Sequence, residues 1–195
     1  MGVPTIHTGP MTVEEFYAFT DTRPDEEKWE LIDGEPILNA APSRLHQRIV
    51  KNLVLALGNR ERELRAPWQV LPGLGVHVSD TIRPEPDVLV IPPDPPSLDP
   101  QQRDTSDVIV AFEVLSPSTK VRDLRWKRTA YTGLASLTHY IVIAQDAVEV
   151  VVFARDEGFA ERRLRSIDEA IELRSLGISL PLSEIYRDTG LGQVA

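Results

Sequence analysis

Two carboxylates occupy positions that the hydrophobic pattern of the sequence assigns to the protein interior. Glu113 is the one acidic residue within the apolar run from Val108 to Leu115, and Asp87 directly precedes the apolar run from Val88 to Ile91. An isolated buried carboxylate costs several kcal/mol or takes up a proton. We therefore expect a metal ion, a cation or hydrogen-bond donors beside Glu113. Sequence-adjacent strands often pair, which would bring Asp87 close to it.

Lys127 is a third charged residue at an apolar position. It lies three residues after Leu124 and four before Tyr131, on the face of a predicted helix that should pack inward. A compact ammonium there can neutralise an acidic cluster or stabilise a developing oxyanion. Spacing alone, however, favours a surface ion pair with Asp123, four residues earlier.

Together, Asp87, Glu113 and Lys127 are compatible with a site for Mg2+ or Mn2+. The two carboxylates supply the oxygen ligands that these ions prefer, and the amine would lie beside them. An ion held there polarises a phosphoryl oxygen and lowers the pKa of a bound water. Two simpler interpretations stay open at this stage. Asp87 can cap a strand, and Glu113 can form a buried ion pair with an arginine.

The length and composition of the chain exclude several classes of protein. The chain has 195 residues, a formal charge of -9 and no cysteine, which excludes thiol catalysis and Cys-ligated zinc. Its length predicts one domain over residues 1–195, with a core at about 11–186. No apolar run approaches the roughly 20 residues of a transmembrane helix, and no secretory signal is evident. We therefore expect a cytoplasmic protein without a membrane partner.

Helices and strands alternate along the chain in an order that predicts an α/β or α+β domain with a mixed central sheet. A capping box at Thr12 begins the first helix, and Asp33-Gly34 predicts the turn of an N-terminal hairpin. Apolar residues at helical spacing predict a long helix over 43–64. The other predicted elements are strands over 68–78, 87–91 and 107–115, a helix over 120–135, a hairpin over 139–153, and a tail of one strand, a connection and a closing helix.

Several motifs resemble the Uma2 family of restriction-endonuclease-like proteins, a branch of the PD-(D/E)XK nuclease superfamily. The resemblance extends from about Met11 to Tyr186. It implies a restriction-endonuclease-like fold, in which helices flank a mixed central sheet. The motifs are Pro86-Asp87, the run Glu113-Val114-Leu115-Ser116-Pro117-Ser118-Thr119, then Asp123, Lys127 and Tyr131, with Glu30-Leu31-Ile32-Asp33-Gly34-Glu35 and His46 earlier in the chain.

The resemblance also implies roles for individual residues. Asp87 and Glu113 would bind a Mg2+ or Mn2+ ion, with the backbone carbonyl of Val114 as a further ligand. The wider superfamily has its lysine two residues after the acidic residue, where this chain has Leu115. The Uma2-like pattern has a lysine in the next helix instead, at Lys127, which leaves the identity of the general base open.

Glu30 and His46 complete the candidate catalytic residues. The family-like string makes Glu30 a further carboxylate, with an exposed hairpin residue as the alternative. His46 lies on the apolar stripe of the long helix, where a core histidine is the alternative to a catalytic one. For DNA contacts the candidates are arginines on the two helices, namely Arg122, Arg125, Arg128, Arg60, Arg62 and Arg65.

Three functional hypotheses remain open from the sequence. The first is a metal-dependent endonuclease that hydrolyses DNA phosphodiester bonds, with a homodimer expected because cutting both strands often needs two sites. The second is a catalytically inactive nuclease-fold module for binding or assembly, which the net charge of -9 favours slightly. The third is a two-carboxylate glycoside hydrolase, for which the separation of the carboxyl groups is diagnostic.

Overall fold

The N-terminal part of the chain forms a helix and then a hairpin. The computed structural model describes residues 9–95, 98–115 and 122–192, and its first element is helix α1 (Val13–Thr20). Thr12 and Glu15 form the predicted capping box, in which each side chain bonds the backbone N–H of the other residue. The helix therefore begins where the sequence pattern indicated.

The hairpin consists of β1 (Trp29–Ile32) and β2 (Glu35–Leu38), which pair antiparallel. Asp33 and Gly34 have positive φ angles of 50° and 81° in the turn between the strands, as expected for an Asp-Gly turn. The Gly34 N–H donates to the carbonyl of Thr81 at 2.8 Å. This bond joins the turn to the chain segment that leads into the central sheet.

Replacing Gly34 by alanine is expected to lower the free energy of unfolding by about 2–4 kcal/mol. An added Cβ atom would lie 2.2 Å from Pro10 Cβ and 2.7 Å from Pro10 Cα, in a backbone conformation that L-residues avoid. Urea unfolding measures the change. Gly158→Ala is the matched control, because Gly158 also has a positive φ but no atom within 4 Å of an added Cβ, and it should cost about 1 kcal/mol. Equal, small losses in both variants would contradict the close packing at Gly34.

In the described part of the chain, a six-stranded mixed sheet forms the centre of the fold. Its strand order is β10-β9-β8-β7-β5-β3, and β7 and β8 are its parallel pair. The elements after β2 are α2 (Arg44–Leu64), β3 (Gln69–Pro72), β4 (Gly75–Val76), β5 (Val88–Ile91), β6 (Asp104–Thr105), β7 (Val110–Leu115), α3 (Arg122–Thr132), β8 (His139–Ala144), β9 (Val150–Ala154), β10 (Glu161–Leu164), β11 (Ala170–Leu173), β12 (Ile178–Pro181) and α4 (Leu182–Ile185).

Both faces of this sheet are covered, which explains why the side chains of β5 and β7 that point to either face are mostly apolar. Helix α2, the β11–β12 hairpin and α4 pack on one face, where Leu53 of α2 meets Phe112 of β7 in one apolar cluster. Helix α3 packs on the other face, where Tyr131 joins the cluster of Ala111 and Leu115. Glu113 has the same parity as Ala111 and Leu115, so its side chain belongs to the α3 face.

Two predicted elements differ from the observed ones. The predicted strand over 68–78 is divided into β3 and β4 at Gly73, which has a φ of 65°. The predicted tail connection contains the hairpin β11–β12, which the sequence reading missed. Its turn is the 3₁₀ helix Arg174–Leu176 followed by Gly177, so the sequence lacks the two-residue turn signal that marked the first hairpin. The layered arrangement itself, a mixed sheet between helices, is the predicted one.

Helix α2 is 21 residues long and is capped by the Ser43 side chain, which accepts from the backbone N–H of His46. It carries charged and amide side chains along most of its length. Among the helices of the described residues, none has the length and apolar character needed to cross a membrane.

Candidate active site

Asp87 and Glu113 come from neighbouring strands of the sheet. Strands β5 and β7 pair antiparallel with Val88 opposite Phe112, so one further step of this register brings Asp87 opposite Glu113. Side chains at opposed positions share a face and lie close together. The backbone N–H of Val114 donates to Asp87 Oδ2 at 2.8 Å, which ties the aspartate to the strand that carries Glu113.

Lys127 is the cation of this cluster. It is only 8% exposed, and its Nζ lies 2.9 Å from Glu113 Oε1 and 2.9 Å from Glu30 Oε1. One helical turn later, the Tyr131 hydroxyl donates to the same Glu113 oxygen at 3.1 Å. The surface position that spacing favoured for Lys127 is thus wrong, because α3 packs with this face toward Glu113. The side chain of Asp123 lies outside the described residues.

Glu30 joins the cluster from the N-terminal hairpin. It is 2% exposed, so the exposed alternative is wrong. Its Oε1 accepts from the backbone N–H of Glu85 at 2.7 Å. Leu31 and Arg83 exchange backbone hydrogen bonds of 3.0 and 2.9 Å, which hold β1 beside the segment that leads to Asp87. The burial of Glu30 therefore depends on a long-range backbone pairing.

The charges of the cluster are strongly coupled. The pKa of Glu113 is raised to about 7, chiefly because the carboxyl group is buried and also because Asp87 and Glu30 are negatively charged, while the Lys127 ammonium limits the shift. Burial disfavours the ammonium form of Lys127, yet the Glu113 and Glu30 carboxylates outweigh it and raise its pKa well above the ordinary value. Burial opposes ionisation of Glu30 as well, but Lys127 and the Glu85 N–H lower its pKa. The cluster thus combines three carboxyl groups, those of Asp87, Glu30 and Glu113, with the Lys127 ammonium and with the Lys28 ammonium 3.8 Å from Asp87. The carboxyl groups are in excess, and a further cation would stabilise them.

His46 approaches Asp87 from helix α2. Its Nε2 lies 3.0 Å from Asp87 Oδ1. Burial would raise the pKa of Asp87, but the His46 hydrogen bond, the Lys28 charge and the Val114 N–H together lower it. Because an ionised carboxylate can only accept, we assign the proton of this hydrogen bond to His46 Nε2. His46 also lines the cleft described next, which distinguishes it from a core histidine.

An open cleft of about 540 Å³ gives access to this cluster. Its walls come from the loop before α2, the first turns of that helix, the turn between β3 and β4, and the C-terminal ends of β7 and β8. Among the residues that line it are Asp87, Glu113, Val114, Lys127 and His46. Four predicted catalytic residues and the predicted carbonyl ligand therefore share one cavity, and Glu30 lies behind them against Lys127.

The donor atoms suit a hard divalent cation. Asp87 and Glu113 supply carboxylate oxygens. The N–H and C=O groups of one strand residue face the same strand edge, so the Val114 carbonyl faces the edge at which its N–H meets Asp87. Mg2+ typically binds one or two carboxylates and keeps several waters. Within residues 9–95, 98–115 and 122–192, no group of three His, Cys, Asp or Glu is arranged to hold an ion, so an ion here would also need carbonyl and water ligands.

Two further charged residues, Lys28 and Glu85, line the cleft and were not predicted from the sequence. Lys28 Nζ lies 3.7 Å from Glu85 Oε1 and 3.8 Å from Asp87 Oδ1. Glu85 also accepts from the buried Arg83 at 2.9 Å. Neither Lys28 nor Glu85 interrupts an apolar run, so the hydrophobic pattern gave no signal for them.

At least three of the arginines considered for DNA contacts donate hydrogen bonds within the protein. Arg62 donates to the carbonyl of Gly58 at 3.3 Å and to Asn59 Oδ1 at 3.0 Å. Arg60 donates to both carboxylate oxygens of Glu184, at 2.9 and 2.8 Å. Arg128 donates to the carbonyl of Phe159 at 2.8 Å, and its guanidinium lies 4.6 Å from the centre of the Phe153 ring. The side chain of Arg122 lies outside the described residues.

The mixed sheet flanked by helices has a counterpart among solved structures. The crystal structure of a putative nuclease belonging to DUF820 from Anabaena variabilis is similar to this chain, with a TM-score of 0.73 and 16% sequence identity. The similarity covers 91% of this chain and 98% of that chain. It confirms the predicted restriction-endonuclease-like fold class.

Residues 13–183 match the family model of Uma2, which is described as a putative restriction endonuclease. The chain therefore belongs to the Uma2 family, and the resemblance seen in the sequence is confirmed. The uncharacterized protein slr1290 of Synechocystis sp. is 30% identical over 94 residues, which are 46% of this chain and 50% of that protein. The chain thus spans about half the length of this curated relative.

Proposed function

We propose that this chain is a divalent-metal-dependent endonuclease that hydrolyses DNA phosphodiester bonds. One observation carries the proposal: Asp87 and Glu113 meet across two strands in an open cleft, and the Lys127 ammonium bonds Glu113 there. A structural ion pair would need neither the cleft nor the excess of carboxylate groups. Membership of the Uma2 family supports a nuclease.

Mg2+ or Mn2+ would be held by the carboxylates of Asp87 and Glu113 and the carbonyl of Val114. When bound, such an ion polarises a phosphoryl oxygen and lowers the pKa of an adjacent water. Lys127 and Tyr131 both donate to Glu113 Oε1, so we assign Oε2 to the ion. Each oxygen of Asp87 has a second lone pair besides the one used by its present partner.

Lys127 acts in this proposal as a fixed positive charge and not as a proton acceptor. Its pKa is raised well above the ordinary value by Glu113 and Glu30, against the effect of burial, so the amine stays protonated at neutral pH. Two of its three N–H groups bond Glu30 and Glu113. The third can orient an attacking water or stabilise a phosphoryl oxygen. Glu30 is then a positioning residue for the ammonium.

His46 is our candidate for proton transfer. With its proton on Nε2 toward Asp87, the neutral ring has Nδ1 as its acceptor nitrogen. That nitrogen can accept a proton from an adjacent water molecule. Asp87 would therefore serve twice, as a ligand of the ion and as the group that orients His46.

The purified protein is expected to nick supercoiled plasmid DNA with Mg2+ or Mn2+ and to be inactive in EDTA. A Mn2+ titration followed by electron paramagnetic resonance measures ion binding independently of cleavage. Absence of both Mn2+ binding at millimolar concentration and cleavage of supercoiled, linear and single-stranded DNA would instead favour the inactive binding module. Sedimentation of the same sample tests the homodimer, which is part of this proposal.

A further inference from the structure

The outer face of α2 is basic in an otherwise acidic protein. Arg44, Arg48 and Lys51 are all exposed on this helix. Their spacing of four and then three residues places them on one side of it. From Pro36 to Arg60 the chain contains no acidic residue, although 30 of its 195 residues are acidic. This concentration of positive charge needs an explanation other than general surface polarity.

The basic face adjoins the cleft. Ser43, His46 and Gln47 of the first helical turns line the cavity. Gln47 lies three residues after Arg44 and four before Lys51, so these two side chains are its direct neighbours on the helix surface. The positive end of the α2 macrodipole lies at the same place, since Ser43 is the N-cap. The positive charge is therefore adjacent to the proposed site of hydrolysis.

The C-terminal half of α2 has a different charge pattern. There Arg60 and Arg62 alternate with Glu61 and Glu63, as is usual for a solvated helix face. Arg60 is moreover paired with Glu184 at 2.8 Å. The basic residues that have no acidic neighbour along the helix therefore lie in its N-terminal half, beside the cleft.

We infer that the face of α2 formed by Arg44, Arg48 and Lys51 binds the phosphate backbone of duplex DNA beside the cleft. The inference rests on the proposed function, because it supplies the surface that holds the substrate of that site. Arg44 and Lys51 are about 10 Å apart along the helix axis, which corresponds to about three base steps of one strand. Arginine and lysine on such a face contact phosphate oxygens and read no base sequence.

The test compares two double variants of the full chain in binding to a fluorescent 20-base-pair duplex in EDTA. Arg44→Gln with Lys51→Gln removes two charges from the basic face. Arg48 is left in place because its guanidinium donates to the carbonyl of Asp188 at 2.6 Å. At about 0.1 M salt the duplex affinity should fall about 10-fold or more, and the slope of log affinity against log salt should decrease by about 2.

The control is Arg162→Gln with Arg174→Gln, which removes the same charge elsewhere. These residues pair with Glu157 at 3.5 Å and Asp156 at 3.1 Å. Asp156 and Glu157 closely follow Ala154, which lies opposite His139 at the start of β8. The cleft lies at the other end of β8, so the control charges are removed far from it. The control should keep the wild-type salt slope, because charges far from the contact surface are screened.

The outcomes separate this inference from the proposed function. Equal loss of affinity in both double variants, no loss in either, or no measurable binding by the wild-type chain would overturn the inference. Mn2+-dependent cleavage by the wild-type chain, together with unchanged duplex affinity in the α2 variant, leaves the proposed function standing without this surface. A selective loss of affinity in the α2 variant supports the surface even when the wild-type chain cleaves no DNA, which would overturn the proposed function alone.

Discussion

Asp87→Asn and Glu113→Gln are each expected to lower metal-dependent DNA cleavage by at least about 1,000-fold, which corresponds to about 4 kcal/mol in the activation barrier. Each change removes the negative charge with which a hard cation is bound, while the side chain keeps its size. The new Asn can still accept from the Val114 N–H, and the new Gln can still accept from Lys127 and Tyr131. Loss of activity without loss of folding is therefore the expected result.

Three measurements on the same proteins check this prediction, namely plasmid cleavage, the Mn2+ titration and urea unfolding. Glu35→Gln is the matched control, because Glu35 is an exposed carboxylate at the start of β2. It should retain cleavage and Mn2+ binding. If both Asp87→Asn and Glu113→Gln cleave DNA as fast as the wild-type chain, the chemistry lies outside this cleft.

The positions of Asp87 and Glu113 in the sheet could be predicted because each strand contains its own signal. The run around Glu113 is apolar on both parities, which indicates a strand covered on both faces. The pairing of consecutive strands then put Asp87 beside it. The roles of both residues as ligands of an ion stay predictions, which the Mn2+ titration tests.

The orientation of the Lys127 side chain could not be predicted from the sequence of its own helix. The helical pattern gave its inward face through Leu124 and Tyr131, whereas pairwise spacing pointed outward to Asp123. The inward orientation is the observed one because α3 packs against a strand whose Glu113 supplies a partner for the ammonium. A local i,i+4 pair is worth only about 0.3–0.5 kcal/mol, so tertiary packing decides the orientation.

Glu30 and the basic face of α2 depend on contacts that no local pattern encodes. The burial of Glu30 results from the pairing of Leu31 with Arg83, about fifty residues later in the chain. Arg44 and Lys51 have the helical spacing of an ordinary solvated face. Their significance follows only from the position of the first turn of α2 at the cleft.

Lys127→Met is expected to lower the free energy of unfolding by about 3–5 kcal/mol at pH 8. The substitution keeps most of the apolar stem and removes the ammonium that bonds two buried carboxylates at 2.9 Å each. Urea unfolding measures the loss, and cleavage should be abolished as well. Lys51→Met is the control, since the same change at an exposed position of α2 should alter stability by no more than about 0.5 kcal/mol. If Lys127→Met lost as little stability as the Lys51→Met control, the ammonium of Lys127 would not balance the charges of the two carboxylates.

The loss in Lys127→Met should also depend on pH, in a direction fixed by Glu113. Burial already raises the pKa of Glu113 to about 7 with Lys127 present, and removal of the amine raises it further. A carboxyl group with a raised pKa binds its proton more tightly in the folded than in the unfolded chain, so stability falls as the pH rises toward the folded-state pKa. Lys127→Met should therefore be less destabilised at pH 5 than at pH 8.

Adding Glu30→Gln to Lys127→Met removes one of the two unbalanced negative charges, so the double variant should be more stable at pH 8 than Lys127→Met alone. If the losses of the two single variants simply add, then Lys127 and Glu30 do not act on each other in the folded protein.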